Sequence, residues 1–302
     1  INIIITICTI AIAEPLPKFS AILVFGDSTV DTGNNNYLNT AFKGNHQPYG
    51  QDFPNHIPTG RFSNGKLLPD FAASFLGIKD TVPPFLDPAL SDDDIRNGVC
   101  FASAGSGYDN LTAAAAGIMS ISKQLEMFRN YITRLKGIVG EEEGSRIIEG
   151  AFIIVSAGTN DIIDNYYDAP TRRQQFNNIG GYHDFLLNIL QNSVKNTDSQ
   201  SYNEKLKGLI TNLQKSLPGS RIVYANIYDP LMGMINHPQN YGFTEVHRGC
   251  CGTGLVELAT LCHSATPTCG RASQFLFWDA IHPTEAAYKY IFDTLIKQVL
   301  PQ

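Results

Sequence analysis

VFGDSTVDTGNNN (residues 24–36) sets the end of an apolar run against a small, polar, Gly- and Asn-rich stretch with one serine near its start. Ala21, Ile22, Leu23, Val24 and Phe25 make up the run, which suits a strand covered on both faces. Gly26 breaks it, and Asp27, Ser28 and Thr29 follow at its carboxyl end. In open parallel sheets, ligands bind outside that edge. Two readings compete for Ser28. Asp and Ser readily bond their own backbone in turns, whereas a serine beside a base is an activated nucleophile. The rest of the chain has to decide.

Similar apolar, β-branched runs recur at 99–102, 151–155 and 221–228. Between them lie helical patterns. Leu125, Phe128, Ile132 and Leu135 form one, Phe185, Leu186, Ile189 and Leu190 a second, and Leu206, Leu209, Ile210 and Leu213 a third. Strands alternating with helices predict an α/β fold with a parallel sheet and helices on both faces. The last helix is the clearest. Pro283 suits its first turn, Glu285 its acidic start, and Ile291, Phe292, Leu295, Ile296, Val299 and Leu300 form one stripe. His282 therefore sits where a loop enters that helix. Residues 41–65, rich in Pro, Gly, Asn and His, read as a long surface loop of the kind that often carries function.

The chain has 302 residues, 43% hydrophobic and 17% charged, with a net charge of −6. That supplies ample core and no basic patch, which argues against nucleic acid as a partner. Residues 1–13 (INIIITICTIAIA) are an apolar run ending in A-x-A before Glu14 and Pro15. They read as the remnant of a secretory signal peptide, too short to span a membrane. Residues 14–302 then form a single domain, secreted and extracellular. Cleavage after Ala13 removes Cys8 and leaves Cys100, Cys250, Cys251, Cys262 and Cys269. No C-x-x-C occurs, so zinc is poorly supported; the last four read as two disulfides of open pairing, and Cys100 as a buried thiol. Asn110-Leu-Thr112 is the one N-glycosylation sequon, compatible with export.

Acyl transfer needs a nucleophile, a base, and donors for the developing oxyanion. Ser28 follows the first strand. FASAGSG (101–107) follows the second, where Gly105 offers an unobstructed N–H. SAGTND (156–161) follows the third, where Asn160 offers a side-chain amide or, equally, a helix cap. FWDAIHPTE (277–285) places Asp279 three residues before His282, a spacing that lets the carboxylate reach Nδ1 and leaves Nε2 facing outward. None of the six other histidines combines a nearby Asp with a helix entry. The G-x-S-x-G elbow is absent.

Taken in order, these blocks resemble the plant GDSL esterase/lipase family of the SGNH-hydrolase superfamily. FGDSTVDTGNNN, CFASAGSGYDNLT, SAGTND and FWDAIHPTEAAY resemble its four blocks, and PTGRFSNGK (58–66) and YGFTEVHRGCCGTG (241–254) its plant signatures. The resemblance implies Ser28 as nucleophile, His282 as base oriented by Asp279, and an oxyanion hole from the Ser28 N–H, the Gly105 N–H and the Asn160 side chain. It implies a flavodoxin-like α/β/α sandwich of three layers, a small-molecule, lipid or polymer-bound ester as substrate, and no cofactor or metal. A secreted serine ester hydrolase is the leading expectation. An acyltransferase using the same triad, or a catalytically impaired paralogue or splice product lacking a core strand, is the alternative.

Two positions and one longer interval depart from the family pattern. Thr29 stands where Leu is usual, and Cys100 where Asn is common. More seriously, residues 183–217 pass from one helical pattern to the next through KNTDSQSYNE, with no apolar strand between. The resemblance implies a central strand at this place, and this sequence offers none. Residues 221–228 are expected to move in against 151–155, giving four strands in place of about five.

Overall fold

The computed structural model describes residues 18–168, 170–176, 178–179, 181–183, 185–186, 207–208, 210–212, 214–215 and 220–300. The leader expectation for 1–13, and most of the two helical patterns at 185–213, lie outside them. The elements run β1 (Ile22–Gly26), α1 (Leu68–Phe75), α2 (Asp92–Asn97), α3 (Asn110–Ala116), α4 (Ile121–Val139), α5 (Glu141–Glu149) and β2 (Phe152–Ser156). They continue through a π-helical segment (Asp161–Asp168), α6 (Pro170–Gln175), α7 (Tyr228–Asn236), β3 (Glu245–Gly249), β4 (Phe275–Phe277) and α8 (Glu285–Val299).

The first strand is buried along its whole length, as its unbroken apolar run demands. Ala21, Leu23 and Phe25 pack with Ile95 of α2, Tyr131 and Leu135 of α4 and Ile147 of α5. Ile22 and Val24 point the other way, onto Ala72 and Ala73 of α1 and Phe292 of α8. Helices therefore cover both faces of β1, and each large side chain buried there contributes roughly 1.5–3 kcal/mol. β1 pairs in parallel with β2, Ile22 opposite Phe152 through Gly26 opposite Ser156. The chain is mixed α/β with parallel strands.

Among the described residues this sheet holds two strands, β1 and β2, where four were predicted. Residues 99–103 run beside β1, with Val24 N–H donating to Val99 O (3.2 Å) and Phe101 N–H to Val24 O (2.7 Å). They make only an isolated bridge, and Cys100 bridges onward to Pro84. Residues 221–228 do not join β2: 221–227 form no strand and Tyr228 begins α7. The reason is packing. Ala225 and Ile227 are held against Leu276 of β4 and Ile291 and Leu295 of α8. Asn226 N–H also bonds the Gln298 side chain (3.2 Å). β2 is left with Ile153 and Val155 52% and 57% exposed. An apolar strand in that state is an aggregation liability.

A second small parallel sheet, β3–β4, was not foreseen. It carries the cystine-rich loop. Cys250 pairs with Cys269 and Cys251 with Cys262, which resolves the pairing the sequence left open. Cys100 is a buried free thiol, pushed up to about 12 chiefly by burial. Both disulfides pack in one cluster with Tyr49, Phe62 and Trp278. The α8 helix is capped by Thr284, whose Oγ1 accepts the Ala287 N–H (3.3 Å), so Pro283 lies just outside the helix and not in its first turn.

Candidate active site

Gly26 ends β1 at φ +140°, and a Cβ there would sit 1.9 Å from Ser156 O, so only glycine fits. Gln124 of α4 clamps this residue from both sides, accepting its N–H (2.9 Å) and donating to its carbonyl (2.8 Å). Asp27 N–H bonds Ser156 O (2.9 Å), tying the two strand ends together. Val30 and Asp31 then donate to Asp27 O, closing one tight turn around Ser28. Ser28 is 8% exposed, and among the described residues its hydroxyl has no hydrogen-bond partner. The turn is built without the Ser28 side chain, which separates this serine from an ordinary turn serine.

The rest of the opening block is a buried polar brace. Asp31 accepts the N–H groups of Gly33 (2.8 Å), Asn34 (2.8 Å) and Ala104 (2.9 Å). Burial still pushes its carboxyl up to about 6. Asn34 donates to Cys100 O (2.9 Å) and Ala102 O (2.8 Å). Asn35 donates to Ala104 O (3.0 Å) and accepts from Ser103 Oγ (2.6 Å). DTGNNN is polar because its side chains satisfy the backbone of the neighbouring 100–104 segment, where no regular ladder does so. Thr29, the departure from the family pattern, donates to Asp27 Oδ1 (2.7 Å) and shares a hydrogen bond with Ser156 Oγ (2.9 Å).

Gly105 has φ +87°, and its N–H has no partner among the described residues. Asn160 Nδ2 donates to Ser106 O (2.9 Å), which orients the amide and uses one of its two N–H groups. Ser106 Oγ in turn donates to Gly26 O (2.6 Å). One connected network thus links Gly105, Asn160 and the turn that carries Ser28. Asp161, the last residue of SAGTND, organises the neighbouring loop. It accepts from Tyr108 N–H (2.7 Å), Asp109 N–H (3.0 Å) and Thr112 Oγ1 (2.6 Å), and burial pushes it up to about 7.

At the far end of the chain, His282 Nδ1 lies 2.7 Å from Asp279 Oδ2 and 2.9 Å from Oδ1. The Ile281 and His282 backbone N–H groups also donate to Asp279 Oδ1 (3.0 and 2.8 Å). The three-residue spacing works as the sequence suggested, because the loop folds back on the carboxylate before α8 begins. His282 Nε2 is buried and has no hydrogen-bond partner. Asp27 is near enough to feel the charge on His282, and Tyr288 of α8 feels both Asp27 and Asp279. Val30, two residues after Ser28, packs in one cluster with Phe292 of α8, the helix that follows His282. Ser28 and His282 are not hydrogen-bonded to each other, a separation common before substrate binds.

The 41–65 stretch is far more than a surface loop. Tyr49, Arg61, Phe62 and Asn64 are buried in it, Phe62 with its ring 5.0 Å from that of His282. Their partners include distant ones: Asp70 lies 9 residues from Arg61 and Asp279 230 residues from Tyr49.

A family model for GDSL-like lipase/acylhydrolase matches residues 22–295, nearly all of the described chain. The chain belongs to the GDSL lipase/acylhydrolase family. One GDSL esterase/lipase of Arabidopsis thaliana is 49% identical over 322 aligned residues, covering 93% of this chain and 89% of its own. Another from the same plant is 47% identical over 324 residues, covering 94% and 90%. This GDSL protein is a serine ester hydrolase. Both alignments are longer than its 302 residues, so these relatives carry residues that it lacks.

Proposed function

We propose that this GDSL esterase cleaves carboxylic esters through an acyl-Ser28 intermediate, with Asp279 and His282 as its acid–base pair. The observation that carries the reading is His282: Nδ1 bound to a buried carboxylate, Nε2 buried and unpartnered. An imidazole held in that tautomer has one nitrogen left to take a proton. His282 Nε2 accepts the Ser28 proton as Oγ bonds to the ester carbonyl carbon. Negative charge moves to the carbonyl oxygen, met by the Ser28 N–H, the Gly105 N–H and the free Asn160 N–H. His282 then returns the proton to the leaving alcohol, and a water repeats the sequence to release the acid.

Asn160→Ala is expected to lower kcat by roughly 10²–10³ with KM little changed. Stopped-flow or steady-state hydrolysis of p-nitrophenyl esters reads this directly. Equal losses in kcat and in thermal stability would instead make Asn160 a structural residue. The nucleophile itself is tested by a fluorophosphonate probe followed by peptide mapping. Label on the peptide containing Ser28 supports the reading, and label on another serine of the folded protein overturns it.

The two disulfides among the described residues support an oxidising, extracellular setting. So does the exposed Asn110 of the sequon, proposed here as a glycosylation site. Helices on both faces of β1 support a flavodoxin-like sandwich of three layers.

A further inference from the structure

We infer that Tyr49 is a positioning residue for the acid–base pair, its buried hydroxyl donating to Asp279 and, through that carboxylate, setting the pH at which His282 loses its proton. This rests on the assignment of Asp279 and His282 proposed above.

Tyr49 is fully buried, and its hydroxyl lies 2.7 Å from Asp279 Oδ2, across 230 residues of chain. The direction of this hydrogen bond is determined by a third group. Ala259 N–H donates to the Tyr49 oxygen at 3.0 Å, so the phenol proton goes to the carboxylate. Ala259 holds φ +48°, a left-handed conformation uncommon for a residue with a Cβ. It lies inside the loop closed by Cys251–Cys262. The cystine loop, Tyr49, Asp279 and His282 thus form one line of hydrogen bonds. Burial, reinforced by the negative charge of Asp279, holds the Tyr49 phenol well above its ordinary range, so it stays a donor throughout the working pH.

Each donor on Asp279 spreads its charge and makes it a weaker base toward the imidazole. Removing the Tyr49 proton leaves a more basic carboxylate, which favours the imidazolium and raises the pH at which Nε2 becomes free. Other groups also face this pair. Asp27 faces His282 from the turn after β1, Tyr288 of α8 faces Asp279, and the edge of His46 meets the Tyr49 ring. All remain in the variants below, so a change in profile reports Tyr49 alone. The ring also packs against Phe62 and Trp278, at centroid distances of 5.5 and 6.5 Å, and phenylalanine preserves that packing.

The test is the pH dependence of kcat/KM for a p-nitrophenyl ester. In Tyr49→Phe the acidic limb is expected to rise by about half to one pH unit, with kcat several-fold lower and KM within about twofold. Tyr49→3-fluorotyrosine, a stronger donor of the same shape, is expected to move the limb the other way. An acidic limb superimposable on that of the unmodified protein overturns the inference. Should Tyr49→Phe fail to fold, the fluorotyrosine variant decides alone: a limb shifted down supports it and an unmoved limb overturns it. Probe labelling keeps the two levels apart. An unmoved limb with label still on Ser28 removes only the role of Tyr49, whereas label on another serine removes the triad beneath it.

Discussion

Ser28→Ala is expected to lower kcat for ester hydrolysis by at least about 10⁴-fold. It is expected to leave the unfolding midpoint unchanged, because the hydroxyl it removes has no hydrogen-bond partner among the described residues. That combination is what separates a nucleophile from a turn serine: loss of a bonded turn hydroxyl would reduce stability first and activity in proportion. His282→Ala should fall by a comparable factor. The double variant should fall little further, since groups that act on one proton transfer do not contribute additively. Turnover of p-nitrophenyl esters measured beside urea unfolding gives both readouts from one preparation. Near-normal turnover by folded Ser28→Ala would end the assignment.

Arg61→Ala is expected to be the most destabilising single substitution considered, costing about 3–5 kcal/mol. The net stability of a domain is only about 5–15 kcal/mol. Arg61 and Asp70 are 4% and 0% exposed and meet in a two-pronged ion pair, Nε to Oδ2 at 2.8 Å and one terminal nitrogen to Oδ1 at 2.7 Å. Truncation strands a buried carboxylate. The usual compensation, replacing both partners with apolar residues, fails here for a specific reason. The guanidinium also donates to Thr32 O (3.1 Å) and Val82 O (2.9 Å), and Asp70 accepts the Leu67 and Val82 N–H groups (each 2.9 Å). An Arg61→Met, Asp70→Leu pair would leave all of those backbone groups unsatisfied. Urea midpoints of the single and double variants check this. Recovery of stability in the double variant would show that the pair is dispensable.

How much of the site could be read beforehand follows from the range of each interaction. Asp279 and His282 are three residues apart on one loop, so their spacing alone foretold the bond between them. Ser28 was marked by the abrupt end of an apolar run, and Gly105 and Asn160 by their places just beyond two others. Arg61 lay within the PTGRFSNGK signature, but neither it nor Tyr49 was marked as the partner of a buried carboxylate. A tyrosine or an arginine in a Pro- and Gly-rich loop has the composition of a solvated residue, and only the folded chain brings Asp279 and Asp70 to them. The 221–228 run was misjudged for the opposite reason. Its pattern is that of a strand, but a strand exists only with a neighbour, and its side chains are committed to α8 and β4.

The amino-acid order by itself pointed to the chemistry proposed above, through one serine, one carboxylate–imidazole pair and small residues at the ends of apolar runs, and it determined an α/β chain with parallel strands. Those properties depend on residue type and on separations of a few positions, and both are written in the linear chain. The tertiary structure alone decided which strands pair, which cysteines join, and that a loop tyrosine bonds the Asp279 carboxylate. Each of these is a choice among partners distant in sequence, settled by packing and by the need of every buried polar group for a counterpart.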